Sequence, residues 1–188
     1  MRLRVAKFET EVKIPVRSAR EARRLLRKAG FRPTSRRTFE ANVILDTPSL
    51  TLKTGDAVLR LRRFGGRSTL TYKGPTQRGR HKRRLEAEVE ISDTSTAEWI
   101  LQQLGFRVVF RYEKYRTGFA RTRGEGRVFL DETPIGCFLE LEGSSRWIDD
   151  TARLLGVSRS FYITKTYMDL YREFRKIRAE TSDRTCLR

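Results

Sequence analysis

Residues Phe8 to Ile14 read F-E-T-E-V-K-I, and this strict alternation limits the possible folds more than any other feature of the chain. Successive side chains of a strand point to opposite faces, so Glu9, Glu11 and Lys13 share one face while Phe8, Thr10, Val12 and Ile14 share the other. One face is apolar and the other is ionised. The pattern recurs. Arg60 and Arg62 oppose Leu59 and Leu61, and Thr69, Thr71 and Lys73 oppose Leu70 and Tyr72. Arg84, Glu86, Glu88 and Glu90 oppose Leu85, Ala87, Val89 and Ile91, while Glu140 and Glu142 oppose Leu139 and Leu141. Strands are also predicted over Arg37 to Asp46, over Arg107 to Arg116, which places Lys114 and Arg116 on one face, and over Arg127 to Glu132, which carries Asp131.

These ionised faces mix acids with bases, whereas a solvated sheet face needs no such mixture. The chain also predicts helices that require an apolar surface to cover. The first starts at Ser18 as N-cap, with Glu21 completing a capping box, and stops at Gly30, with Ala22, Leu25, Leu26 and Ala29 on its apolar side. If the apolar strand faces were the inside of a sandwich, nothing would remain for the helices to cover. Closing the antiparallel strands into a barrel, helices outside and charged faces inward, satisfies both demands and gives an α+β fold. Buried charges of this kind cost several kcal/mol each when unpaired, so the interior must be hydrated and hold metal and anion when it works. Glu9, Glu11, Ser18 and Glu21 reappear 77 residues later as Glu86, Glu88, Ser95 and Glu98, and Gly30-Phe31-Arg32 returns as Gly105-Phe106-Arg107. Two related halves are therefore expected, the second helix capped by Ser95.

At 188 residues the chain supports one substantial core, read as a single domain over residues 1–178 with a basic tail over 179–188. The opening M-R-L-R-V-A-K lacks a signal-peptide apolar stretch and no run is long enough to cross a bilayer, so a cytoplasmic protein with no membrane partner is expected. Cys137 and Cys186 are too few for a disulfide framework or zinc site. The 41 Lys and Arg against 23 Asp and Glu give a net charge of +18 and call for an anionic partner. No helix-turn-helix, aromatic RNA-binding strand or zinc-finger spacing points to nucleic acid, and inward-pointing cations holding a compact polyanion are the preferred reading. The lone histidine, His81, sits in a basic loop from Arg78 to Arg84 and is read as solvated.

Taken in order, the motifs resemble the CYTH, or triphosphate tunnel metalloenzyme, superfamily: E-x-E-x-K at Glu9, Glu11 and Lys13, G-x-x-L-R-x-R ending in Arg60 and Arg62, K-G-P at Lys73, R-x-E-x-E at Arg84, Glu86 and Glu88, K-x-R at Lys114 and Arg116, and a final E-x-E at Glu140 and Glu142. Within it, T-Y-K-G-P, L-D-E-T-P-I-G-C-F-L-E-L-E-G and I-T-K-T-Y-M-D-L-Y resemble the class IV adenylate cyclase group. The resemblance implies a closed eight-stranded antiparallel tunnel that binds a triphosphate. It assigns Lys13, Arg60, Arg62, Lys73, Lys114 and Arg116 to phosphate oxygens, and Glu9, Glu11, Asp131, Glu140 and Glu142 to Mg2+ or Mn2+. Arg84 joins the substrate-binding set. Glu86 and Glu88 are expected to act in catalysis by orienting that shell or holding a second metal, with Lys165 closing over the phosphates.

The expected activity is metal-assisted in-line substitution at phosphorus. Attack by the ribose 3′-hydroxyl of ATP gives cyclic AMP and pyrophosphate, the leading reading. Attack by water makes the enzyme a phosphohydrolase of tripolyphosphate, thiamine triphosphate or a nucleoside triphosphate. A non-catalytic polyphosphate- or nucleic-acid-binding module is the third reading, opposed by the acidic residues. Phe39, Phe64, Tyr72, Phe110 and Tyr112 are the candidates to stack on a base. The residues V-I-L-D-T-P ending around Asp46 depart from the aromatics of relatives. A homodimer is left open.

Overall fold

The computed structural model describes residues 6–77, 79–121 and 125–185, with backbone alone for 178–185. Arg78, Cys186 and the side chains of the basic tail lie outside the described residues.

Eight antiparallel strands close into a barrel. They are β1 (Lys7–Val16), β3 (Thr38–Asp46), β4 (Val58–Phe64), β5 (Arg67–Lys73), β6 (Lys82–Ile91), β7 (Arg107–Ala120), β8 (Arg127–Thr133) and β9 (Gly136–Glu142). The order β7-β3-β4-β5-β6-β1-β9-β8 is completed by pairing of β8 with β7, and the two-residue β2 (Arg32–Pro33) adds to the end of β7. Closure depends on length. β7 continues four residues beyond the Arg116 end expected from sequence, and that extension supplies most of its register with β8, from Tyr115 opposite Glu132 to Phe119 opposite Val128. At the β4–β5 turn Gly65 and Gly66 both take positive φ, 56° and 81°, as a two-residue turn matched to strand twist requires.

The outward apolar faces are covered unevenly. Val12, Ile14, Val128, Leu130, Leu139 and Leu141 are fully buried under α1 (Ala19–Lys28) and α4 (Ser145–Leu154), which contribute Ala22, Leu26, Ile148 and Ala152. Burying a Leu or Ile of this kind is worth about 1.5–3 kcal/mol, so this wall is the main core. On the opposite wall α3 (Thr94–Gln103) buries no residue, and Trp99, Ile100 and Leu104 stay exposed. A smaller cluster of Ile44, Tyr112, Phe138 and Tyr167 closes one end of the barrel beneath α5 (Tyr167–Thr185). The segment leading into α5 is pinned to β1 by paired backbone bonds between Lys13 and Ile163, 3.0 and 2.9 Å. None of the described helices is long and apolar enough to cross a membrane.

Several expectations change. Ser18 caps α1 as read, accepting from Glu21 N at 3.2 Å, but α3 is capped by Asp93, whose carboxylate accepts from Thr96 N, and Ser95 lies inside the helix. Aspartate two residues earlier offers the better acceptor, and the constant offset of the sequence echo does not extend to the caps. The turn after Asp46 holds a short helix, α2 (Thr51–Thr54), built on the Asp46 carboxylate, which accepts from the backbone of Thr47, Leu52 and Lys53 at 2.7–2.9 Å. His81 is not solvated. It bonds Asp149 at 2.9 Å beside Tyr162, tying the β5–β6 loop to α4. The helix α5 runs past residue 178, where the tail was expected to begin.

Candidate active site

Alternation along each strand sends the ionised faces into a cavity of about 1000 Å³. Lys7, Glu9, Glu11 and Lys13 enter from β1, Arg60 and Arg62 from β4, Lys73 from β5, and Lys82, Arg84, Glu86, Glu88 and Glu90 from β6. Lys114 and Arg116 enter from β7 and Glu140 and Glu142 from β9. Of the fifteen residues singled out from sequence, thirteen line this one space, and Asp131 and Lys165 do not.

The floor is the most tightly bonded part. Asp131 is fully buried and accepts from Lys114 Nζ (2.8 Å), from Arg116 Nε and Nη2 (both 2.7 Å), and from the Tyr167 hydroxyl (2.6 Å). Both of its oxygens are thus engaged, and burial is outweighed by Arg116 and then Lys114, which hold its pKa down to about 2. Asp131 therefore positions Lys114 and Arg116 and, with both oxygens so engaged, presents no free oxygen to the cavity. Glu40, fully buried, supports the same pair from 3.3 Å of Lys114 and 3.8 Å of Arg116, and Asn42 donates to it at 3.0 Å. Against burial, Lys114 and Arg116 lower Glu40 to about 2. Lys13 and Lys114 both lie over the Tyr167 ring, 5.2 and 4.6 Å from its centre. Tyr167 thus faces the tunnel and closes it at this end.

Above the floor the acids divide into two groups. Glu11 and Glu140 are held by cations: Glu11 by Lys13 at 3.0 Å and Lys82 at 3.3 Å, Glu140 by Arg116 at 2.7 Å and Lys13 at 3.4 Å. Glu9 and Glu86 share one cation, Lys73, at 3.1 and 2.9 Å, and stand beside the carboxyl of Glu142. Burial first, and then the bond to Glu9, raises Glu86 to about 7 and Glu142 to about 9. Glu9 moves the opposite way, because its two carboxyl partners and Lys73 outweigh burial. Three carboxyls thus converge on the single charge of Lys73, and burial with like-charge crowding raises two of them.

The opposing wall shows the reverse imbalance. Glu88 accepts from Thr71 at 2.7 Å and Arg62 at 3.2 Å, with Arg60 at 3.7 Å. Arg84 donates to Thr76 at 2.8 Å and to Asp56. Yet the buried atoms Arg60 Nε, Arg62 Nε and Arg84 Nη1 have no acceptor. Unpaired buried donors are costly, and a cluster of them on charged groups marks a place shaped for an anion.

Lys165, expected to close over the phosphates, lies outside the cavity, half exposed and paired with Glu173 at 2.6 Å. Sequence reasoning missed Lys82, Glu40, Asn42 and Tyr167. Lys82 was assigned to the basic loop, although extending the β6 alternation by one step places it inward with Arg84. Burial, only partly offset by Glu11, lowers it to about 8. Of the five base-stacking candidates, Phe64 and Tyr112 line the tunnel, Tyr112 in its floor beside Tyr167. Phe39 and Tyr72 point outward, and Phe110 packs against Tyr171.

The donor chemistry fits a hard divalent cation, since every acid available is an oxygen ligand. Among the described residues no three such side chains are preassembled around a cation position.

Comparison with known proteins places this geometry in context. Over 173 residues the chain is 28% identical to the Methanocaldococcus jannaschii protein named "Putative adenylate cyclase MJ0240", covering 87% of this chain and 98% of that one. The structure of a Vibrio parahaemolyticus "putative adenylate cyclase" superposes with a TM-score of 0.76 at 21% identity, covering 88% of this chain and 98% of that one. A Hippeastrum protein, "Putative adenylyl cyclase HpAC1", described as having a dominant triphosphatase activity, superposes at 0.63 with 17% identity, over 88% and 95%. The description CYTH domain matches residues 7–167. The span of that match, from β1 to the tyrosine that closes the tunnel, means that the chain belongs to the CYTH domain family.

Proposed function

We propose that this protein is a divalent-metal-dependent enzyme that binds the triphosphate of a small molecule in its tunnel and carries out in-line substitution at phosphorus, most nearly as a class IV adenylate cyclase. One observation carries the reading: orphaned guanidinium donors of Arg60, Arg62 and Arg84 share a cavity with three carboxyls, Glu9, Glu86 and Glu142, that converge on the single charge of Lys73. An anion site and a cation site thus stand within one space, as a metal-bound triphosphate requires.

The chain's own residues have distinct tasks. Arg60, Arg62 and Arg84 supply planar donors to phosphate oxygens, and Lys13, Lys73, Lys114 and Arg116 supply charge from β1, β5 and the floor. Asp131, Glu40 and Tyr167 keep the floor cations in place. Glu9, Glu86 and Glu142 would hold magnesium or manganese, with Glu11 and Glu140 behind them steadied by Lys13, Lys82 and Arg116. When bound, the metal neutralises charge on the phosphates. Glu88, fixed by Thr71 and Arg62, orients the arginine wall.

The cyclase reading places ATP with its ribose 3′-hydroxyl against the α-phosphorus, and the M. jannaschii relative carries that name along nearly its whole length. Hydrolysis of ATP, tripolyphosphate or thiamine triphosphate is the second reading, and one observation favours it. Of the five base-stacking candidates Phe64 alone lines the tunnel away from the closed floor, and Phe129, which also lines it, is covered by the Arg116 guanidinium at 4.4 Å.

Product analysis by phosphorus NMR separates the readings, using ATP or tripolyphosphate with magnesium or manganese beside a Glu9→Gln/Glu142→Gln control. Cyclic AMP and pyrophosphate establish cyclisation; orthophosphate that disappears in the control establishes hydrolysis. Absence of metal-dependent turnover with any triphosphate tested refutes the enzyme reading.

A further inference from the structure

The tunnel does not account for the charge of this protein. Its lining and the acids buried directly behind it comprise eleven Lys and Arg and nine Asp and Glu among the described residues. That leaves an excess of only two inside, out of +18 for the whole chain. The sequence-based case against a nucleic-acid partner rested on missing base-reading motifs as well as on inward-pointing cations, and among the described residues most of the excess points outward.

The excess is concentrated on one face. Along α1, Arg20, Arg24, Arg27 and Lys28 are exposed on the side away from the core, and Arg17 precedes them. The face continues beyond the helix through exposed Arg32, Arg36, Arg37 and Arg121. It is continuous: Arg23 and Arg37 both reach Glu132, at 2.9 and 3.0 Å, and a Cβ on Gly30 would lie 3.7 Å from Arg121. Ten cations there face two acids, Glu21 and Glu132. The neighbouring helix α4 has the ordinary pattern, with Arg146 and Arg153 both paired to Asp150.

Glu21 in the first turn and Arg27 and Lys28 in the last suit the dipole of α1, but the rest of its pattern is unfavourable for the helix itself. Arg20 and Arg24, Arg23 and Arg27, and Arg24 and Lys28 are like-charged at i,i+4, and Arg20 and Arg23 place positive charge at the helix start, against its dipole. A solvated face needs none of this. Side chains four apart on a helix recur about every 6 Å, a spacing suited to successive backbone phosphates on a convex surface. No stacking platform accompanies them, because Tyr115 is covered by the Arg37 guanidinium at 3.4 Å and packed edge-on by Phe39. Among the described residues of this face, that leaves a single partly exposed ring, Phe39, to the bases of a single strand.

We infer that the α1 face is a sequence-independent docking surface for the phosphate backbone of a nucleic-acid duplex, separate from the tunnel. The test is fluorescence anisotropy of the full chain with a labelled random-sequence duplex, titrated with salt. Binding should weaken with log salt at a slope near −0.9 per phosphate contact. The variant Arg20→Gln/Arg24→Gln/Arg27→Gln should lose at least tenfold in affinity and about three contacts' worth of slope, while its melting temperature stays level or rises. A control with equal charge loss elsewhere, Lys53→Gln/Arg63→Gln/Arg107→Gln, should keep most of the binding. No duplex binding at 0.1 M salt overturns the inference. So do equal losses in both variants, which would mean diffuse charge, or binding of inorganic polyphosphate or single strands with none of duplex.

Discussion

Replacing Asp131 by Asn tests how the tunnel floor is held. The substitution keeps the shape of the side chain but removes the charge that Arg116 and Lys114 share at 2.7–2.8 Å, in a place with no solvent exposure. Glu140 and Glu40 remain as partial partners, so the two cations are weakened rather than stranded. Removing one member of a buried ion pair typically costs about 3–5 kcal/mol, and the remaining partners place this variant near 3 kcal/mol. Linkage gives an independent figure. Folding lowers the Asp131 pKa from 3.8 to about 2, which is worth about 2 kcal/mol. Because the folded pKa is depressed, that contribution is present above about pH 4 and is lost as pH falls through about 2. Urea unfolding at pH 7 should show the larger loss. The wild type should then lose stability more steeply than the variant between pH 4 and 2. A loss below 1 kcal/mol at pH 7, or parallel acid profiles, would refute the view that Asp131 anchors the floor.

Two further outcomes follow from the same geometry. Without divalent metal, stability should decline as pH rises from about 4.5 through 7 to 9, because the raised pKa values of Glu86 and Glu142 make the folded state hold more protons than the unfolded one. Melting curves at pH 5, 7 and 9 in EDTA should show this decline, and saturating magnesium should flatten it. Lys165→Ala should change stability by less than about 0.5 kcal/mol and leave turnover unaltered, since its pair with Glu173 is half exposed. A large loss of turnover would restore the role first expected of it.

Alternation made most of this legible. A period of two assigns each strand residue to one face wherever one face is buried, so the inward positions of Glu9, Glu11, Lys13, Arg60, Arg62, Glu86, Glu88, Glu140 and Glu142 could be read without coordinates. What alternation cannot report is who meets whom across the barrel. Glu9 and Glu142 come together because β1 pairs with β9, and Asp131 is taken up by Arg116 because β7 extends to pair with β8. Those pairings separate the acids open to a cation from the acids already neutralised. Lys82 and His81 were misread for a different reason. Both stand among basic loop residues whose composition resembles a solvated turn, and only the register of β6 and the approach of α4 carry them inward. Net charge was the least reliable guide, because it sums inside and outside.

The two imbalances inside the tunnel have opposite sign, and this makes them interdependent. Arg60, Arg62 and Arg84 each keep one buried donor without an acceptor, while Glu9, Glu86 and Glu142 have the single charge of Lys73 among them. A triphosphate alone relieves the first and adds negative charge beside the second. A divalent ion alone relieves the second and adds positive charge beside the first. Only the two together satisfy both walls, so each should strengthen the other's binding, and by thermodynamic linkage the two factors must be equal. Calorimetric titration of magnesium with and without tripolyphosphate should therefore show a gain of about 5- to 150-fold, the range of coupling energies of 1–3 kcal/mol. Arg62→Gln, which thins the anion wall and loses the contact to Glu88 but leaves Glu9, Glu86 and Glu142 untouched, should shrink that factor while leaving the affinity for magnesium alone nearly unchanged. Equal magnesium affinity in both titrations would mean that the walls act separately, and the tunnel would then be two sites rather than one.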